Sequence, residues 1–85
     1  MTGTQTIVLA QLAPGTRATV LGTVAGANPV TVKRLGQLGF RAKARVDVVR
    51  RAPLGDPTIY RVHDTEFCLR RREAQLIEVI TEADR

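Results

Sequence analysis

The sequence predicts a mainly β domain with one short helix or two, closed into a small antiparallel barrel. Five short segments have strand composition, and one helix signal from Asn28 to Gly39 is clearly punctuated at both ends. Turn sequences at Pro14-Gly15 and from Pro53 to Pro57 crowd these elements into 85 residues. An open sheet of such short strands would leave two edges unprotected, which favours closure. A chain of this length holds one domain with little core to spare. The domain is expected over residues 7–80, with a flexible N-terminus at 1–6 and a polar tail at 81–85.

Met1 to Thr6 is small and polar and reads as a segment that frays. Ile7 to Leu12 is apolar enough to be tied down, with Leu9 and Leu12 spaced for a single helical turn before the Pro14-Gly15 corner. From Arg17 to Val24 apolar and polar residues alternate, which directs Val20 and Val24 inward. Gly22 inside this strand marks a bulge.

Asn28-Pro29 starts the helix, because Asn can accept from an orphan N–H while Pro brings a preset φ and no donor to waste. At about 100° per residue, Val32, Leu35, Gly36 and Leu38 fall on one side and Lys33, Arg34 and Gln37 on the other. Gly36 costs roughly 1 kcal/mol in a helix interior, so a strand is expected to approach it closely. Gly39 is placed to end the helix in the left-handed conformation, which returns Phe40 to the core.

Val46 and Val48 alternate with Asp47 and Val49 in the next strand, and Arg45, Arg50 and Arg51 around it read as a solvated edge. Pro53 and Pro57 forbid a continuous strand and predict a protruding hairpin loop. Leu54 in that loop either contacts a partner or folds back over the barrel end. Thr58 to Val62 and Glu66 to Leu69 form a hairpin about an Asp64-Thr65 turn, with Phe67 and Leu69 facing the core and Cys68 the other way. Arg70 to Ala74 suffices for one helical turn, and Leu76 to Ile80 is the closing strand.

Thirteen Lys and Arg against eight Asp and Glu give a formal charge of +5, which favours acidic partners. Specific nucleic-acid binding is not expected. The three aromatics, Phe40, Tyr60 and Phe67, occupy core positions rather than stacking positions, and no known nucleic-acid module is present. The single cysteine allows no internal disulfide and no thiolate cluster, which suits a reducing compartment. No stretch reaches the ~18–20 apolar residues of a membrane span, and Met1 to Leu9 lacks the regions of a signal peptide, so a cytoplasmic protein is expected.

His63, Asp64, Glu66 and Cys68 cluster around one turn, but one imidazole and one thiol fall short of a structural zinc set, and neither metal nor cofactor is expected. The plainer reading is a solvated turn beside a buried, inert cysteine. The chain contains no serine and no second histidine to support Cys68 as a nucleophile. Asp56, Asp64 and Glu66 are not drawn into a pocket, and the glycines at 36 and 39 do not lead into a helix as a phosphate cradle would. The chain does not read as an enzyme. Arg70-Arg71-Arg72 is either a docking patch for an acidic surface or phosphate, or a solvated connector.

Arg34-Leu35-Gly36-Gln37-Leu38-Gly39-Phe40 and Val46-Asp47-Val48-Val49-Arg50-Arg51-Ala52-Pro53-Leu54-Gly55-Asp56-Pro57 together resemble the FeoA family of ferrous iron transport accessory proteins. Cys68-Leu69-Arg70-Arg71-Arg72-Glu73-Ala74, the closing strand from Leu76 and Leu12-Ala13-Pro14-Gly15 extend the likeness over roughly residues 9–80. The resemblance implies an SH3-like barrel, cytosolic and non-catalytic. It further implies association with the cytoplasmic region of a FeoB-type membrane permease, through which alone the protein would reach a membrane. On that reading the helix and the loop present Lys33, Arg34, Leu54, Gly55, Asp56 and Pro57 to the partner. An unclosed barrel edge leaves pairing with a second copy open. A related barrel forms the C-terminal domain of iron-dependent transcriptional repressors, so a detached regulatory domain is the alternative. Ala42-Lys43 stands where the family usually has Pro-Gly. A positive φ at Lys43 would cost roughly 1 kcal/mol, so that turn is expected to be remodelled.

Overall fold

The computed structural model describes residues 4–82. Six strands, β1 Thr4–Val8, β2 Arg17–Thr23, β3 Arg45–Arg51, β4 Thr58–Val62, β5 Thr65–Leu69 and β6 Ile77–Glu82, form one sheet in the order β1-β6-β2-β3-β4-β5. Every neighbouring pair is antiparallel, and the sheet curls into an SH3-like barrel. A 3-10 turn at Leu9–Gln11 follows β1, helix α1 (Pro29–Leu38) joins β2 to β3, and helix α2 (Arg71–Ala74) joins β5 to β6.

Strand β1 takes in residues 4–6 of the segment read as flexible, and β6 runs into Thr81 and Glu82 of the expected tail. The two pair from Thr4↔Glu82 to Val8↔Glu78. Local polarity concealed the strand. Its threonine content suits a pleated surface, and its partner lies at the far end of the chain, where it would otherwise expose an edge. Met1 to Gly3 and residues 83–85 lie outside the described residues.

Leu9, Val20, Leu35, Val46, Val48, Tyr60, Val62, Leu69, Ile77 and Val79 fill the barrel with essentially no exposure. Phe40 meets Tyr60 edge to face at 6.5 Å and Phe67 at 5.9 Å, an arrangement that aromatic quadrupoles favour. Two register shifts bend the sheet, one between Val20 and Gly22 and one between Val48 and Arg50. The first is the bulge expected at Gly22, and it turns Leu21 out to solvent.

Helix α1 begins and ends as its sequence directs. Asn28 Oδ1 accepts from the Val30 N–H at 2.8 Å, Pro29 occupies the first turn, and Gly39 closes the helix at φ 113°. Leu35 is its buried residue, with Val32 and Leu38 half-buried beside it. Gly36 departs from expectation: a Cβ there would meet nothing within 4 Å, so no strand approaches it. The Arg41 Nε donates instead to its carbonyl at 2.9 Å.

Further readings are corrected by the structure, some through distant partners and one within a turn. Strand β3 lies between β2 and β4 rather than at an edge, and Arg51 is half-buried. Its guanidinium donates to the Leu12 carbonyl at 2.6 Å and to Thr58 Oγ1 at 3.1 Å, clamping the 3-10 turn to the sheet. The β4–β5 hairpin turns at His63-Asp64, one residue earlier than expected, with φ 52° and 64° and Val62 opposite Thr65. Paired left-handed residues mark a type I′ turn, whose twist matches that of the strands.

Lys43 adopts φ 76°, so the turn keeps its left-handed geometry instead of being remodelled. Its N–H donates to the Val20 carbonyl at 2.7 Å and the Val20 N–H to the Ala44 carbonyl at 2.8 Å, which fixes the backbone whatever the side chain prefers. Lys43→Gly should therefore raise stability by about 0.5 kcal/mol, the relief of left-handed strain being partly offset by a more flexible unfolded chain. A higher urea midpoint at unchanged slope is the expected result. An unchanged or lower midpoint would show that Lys43 carries no net strain.

Candidate partner-binding surface

The turn between β3 and β4 is built by backbone and proline geometry. The Gly55 N–H donates to the Ala52 carbonyl at 2.8 Å and the Ala52 N–H to the Pro57 carbonyl at 3.0 Å. Pro53 supplies the preset φ of the second turn position, and Gly55 takes φ 93°. This places Leu54 at the tip with 97% of its surface exposed. Of the two readings of Leu54, folding back over the barrel end does not occur.

The turn is also tied to α2. Asp56 Oδ1 accepts from the Arg71 N–H at 2.8 Å, and the Arg71 guanidinium lies against Gly55, where a Cβ would stand 3.6 Å from Arg71 Nη2. Glu73 joins α2 to α1: Glu73 Oε2 pairs with the Arg34 guanidinium, and Glu73 Oε1 accepts from the Arg70 N–H at 3.1 Å. Between turn and helix runs a groove of about 540 Å³ lined by Asp56, Arg70, Arg71, Arg72 and Gln75.

Gly55 and Asp56 therefore share one surface with the arginine run, and Leu54 projects from the same turn. Pro57 closes the base of the turn and is half-buried. Arg34 connects to this surface through Glu73, and Lys33 is exposed on α1. The sequence offers the arginine run of α2 as a docking patch or a solvated connector, but not its junction with the β3–β4 turn. Nothing local joins Arg70-Arg71-Arg72 to a turn 15 residues earlier.

Cys68 is exposed on β5 rather than buried, because its neighbours Phe67 and Leu69 take the inward positions of the alternation. Among the described residues, no three of His, Cys, Asp and Glu converge in a way that could hold a metal ion. Among the described residues, Tyr60 and Arg17 have displaced pKa values, and both causes are structural. Burial raises the Tyr60 phenol, with hydrogen bonding to Thr58 and the Arg51 charge acting more weakly the other way. The hydrogen bond from Arg17 Nε to Asp47 at 2.6 Å raises the Arg17 guanidinium. Neither group lines the groove.

The FeoA domain family matches residues 7–81. The chain belongs to the FeoA family. A FeoA protein from Chlorobium tepidum is 36% identical, with a TM-score of 0.80 over 88% of this chain and 70% of that one. The zinc-complexed FeoA of Stenotrophomonas maltophilia, a prokaryotic SH3 domain protein, is 33% identical with a TM-score of 0.76, over 86% of this chain and 88% of that one. An Fe(2+) transport protein A/Fe(2+) transporter FeoB fusion protein from Porphyromonas gingivalis is 45% identical over 47 residues. That match takes in 55% of this chain but only 6% of the fusion protein. A manganese-dependent transcriptional repressor shares the fold at 19% identity, with a TM-score of 0.80 over 93% of this chain and 43% of the repressor. No helix among the described residues is long and apolar enough to cross a membrane.

Proposed function

We propose that this chain is a non-catalytic cytoplasmic adaptor that supports ferrous iron uptake by binding the cytoplasmic region of a FeoB-type permease. The fusion protein from Porphyromonas gingivalis carries this reading, since it joins a FeoA segment to a FeoB transporter in one polypeptide. Tethering turns the meeting of two modules into an intramolecular event at high effective concentration, which matters only where the modules work together. The Stenotrophomonas maltophilia relative, described as a candidate ferrous iron transport activating factor, points to the same pathway. The surface of this chain suits the role. Leu54 is an apolar side chain at the tip of a hydrogen-bonded turn, whose burial would occur only in a complex. Gly55, Asp56 and Pro57 complete that turn, and Lys33 and Arg34 on α1 are the further partner contacts of this reading.

Titration calorimetry of wild type and Leu54→Ala against the permease's cytoplasmic portion tests the assignment. Burying a leucine side chain is worth about 1.5–3 kcal/mol, so affinity should fall roughly tenfold or more. The melting temperature should not move, because Leu54 touches no core residue. Unchanged affinity would remove Leu54 from the interface.

A further inference from the structure

We infer that the groove between the β3–β4 turn and α2 receives an acidic segment of a protein partner, with Arg70, Arg71 and Arg72 meeting its carboxylates and Leu54 covering an adjacent apolar side chain. This deepens the partner-binding reading and rests on it. Three successive arginines line one groove, and Gln75 lines it with them. The carboxylates nearest to hand are already engaged. Asp56 accepts the Arg71 backbone N–H, while Glu73 is shared between the Arg34 guanidinium and the Arg70 backbone N–H. Among the described residues, none of the three guanidiniums forms an ion pair with a carboxylate, whereas Arg17, Arg34 and Arg61 each do. The fold thus fixes the backbone of the arginine run with its own acids and leaves the side-chain charges for another molecule. Planar guanidiniums bind carboxylates through paired, charge-assisted hydrogen bonds, which sets the chemistry of the occupant.

Leu54 decides between occupants of the same charge. It precedes Gly55 and Asp56, both of which meet Arg71, and is 97% exposed, so an apolar tip stands beside the basic groove without lining it. A free phosphate would leave Leu54 in water. A nucleic acid would gain from stacking aromatics, but Phe40 and Tyr60 are buried in the core. A peptide with an apolar residue beside two or more carboxylates uses both parts.

The test compares Arg70→Ala/Arg72→Ala with Arg45→Ala/Arg50→Ala, which removes the same charge from exposed positions on β3. The probes are the permease's cytoplasmic portion, a synthetic peptide of glutamates flanking one leucine, inorganic phosphate and duplex DNA. Wild-type affinity for the permease portion should fall with added salt. The groove pair should weaken it about tenfold and flatten the salt dependence, while the β3 pair changes it less than about twofold. Equal losses from the two pairs would assign the effect to bulk charge and overturn the groove, as would wild-type affinity that ignores salt. If wild type does not bind the permease portion at all, the adaptor reading falls and the peptide decides the groove separately. Saturable peptide binding that is lost in Arg70→Ala/Arg72→Ala supports the groove, and no peptide binding overturns it. Tighter binding of phosphate or duplex DNA than of the peptide overturns the acidic-segment occupant. Melting temperatures of both double variants should match wild type, since all four side chains are exposed.

Discussion

Gly39→Val is expected to lower the unfolding free energy by about 3–5 kcal/mol, through two additive causes. Gly39 holds φ 113°, which side chains rarely tolerate and β-branched ones least of all. A Cβ at this position would also stand 2.8 Å from Val62 Cγ1 and 3.1 Å from His63 Cδ2, so a strand and the hairpin turn beyond it must give way. The backbone cannot escape by relaxing, because the N–H groups of Gly39 and Phe40 donate to the carbonyls of Gly36 and Leu35. A domain of this size has roughly 4–13 kcal/mol of stability in all, so the variant should unfold at much lower urea. The two causes can be separated. Gly39→Ala retains both at smaller size, and adding Val62→Ala should return part of the loss if contact contributes. Strictly additive losses would mean that the backbone conformation alone is responsible.

What the sequence disclosed followed the range of the forces involved. Asn28, Pro29 and Gly39 bound α1 through interactions spanning a few residues, so their composition was sufficient. Gly22 marked its bulge for the same reason. Pro53, Gly55 and Pro57 likewise defined a turn that had to protrude, although only the folded structure showed that Leu54 stays outside. Readings that failed depended on distant partners. Thr4 to Thr6 reads as a loose end until β6 is placed alongside, and Arg51 reads as solvated until the Leu12 carbonyl is brought to it. Gly36 shows the opposite error, a local cost read as a sign of tertiary contact where none exists. The same reason hid half of the candidate surface, for the bond from the Arg71 N–H to Asp56 is what makes one feature of a loop and an arginine run.

Leu35→Ala should cost about 2–5 kcal/mol, and it tests what positions α1 against the barrel. Leu35 has no exposure, whereas the flanking Val32 and Leu38 are half-buried and Lys33, Arg34 and Gln37 face water. Its removal leaves a cavity under the middle of a helix joined to the sheet by loops on both sides. The competing attachment is the pair between Arg34 and Glu73, whose side chains are 51% and 20% exposed. An ion pair with one partner this accessible is worth about 0–1 kcal/mol, so Arg34→Ala should shift the urea midpoint far less than Leu35→Ala. Binding should respond differently from stability. Under conditions where both variants remain folded, Arg34→Ala frees Glu73 to turn toward the neighbouring arginines and weaken their hold on an acidic partner. Leu35→Ala leaves those charges in place. A loss of permease affinity in Arg34→Ala without a matching loss of stability is therefore the expected pattern. If Arg34→Ala proves as destabilising as Leu35→Ala, the helix is held by charge at its surface, and the core anchor is not what sets the geometry of this face.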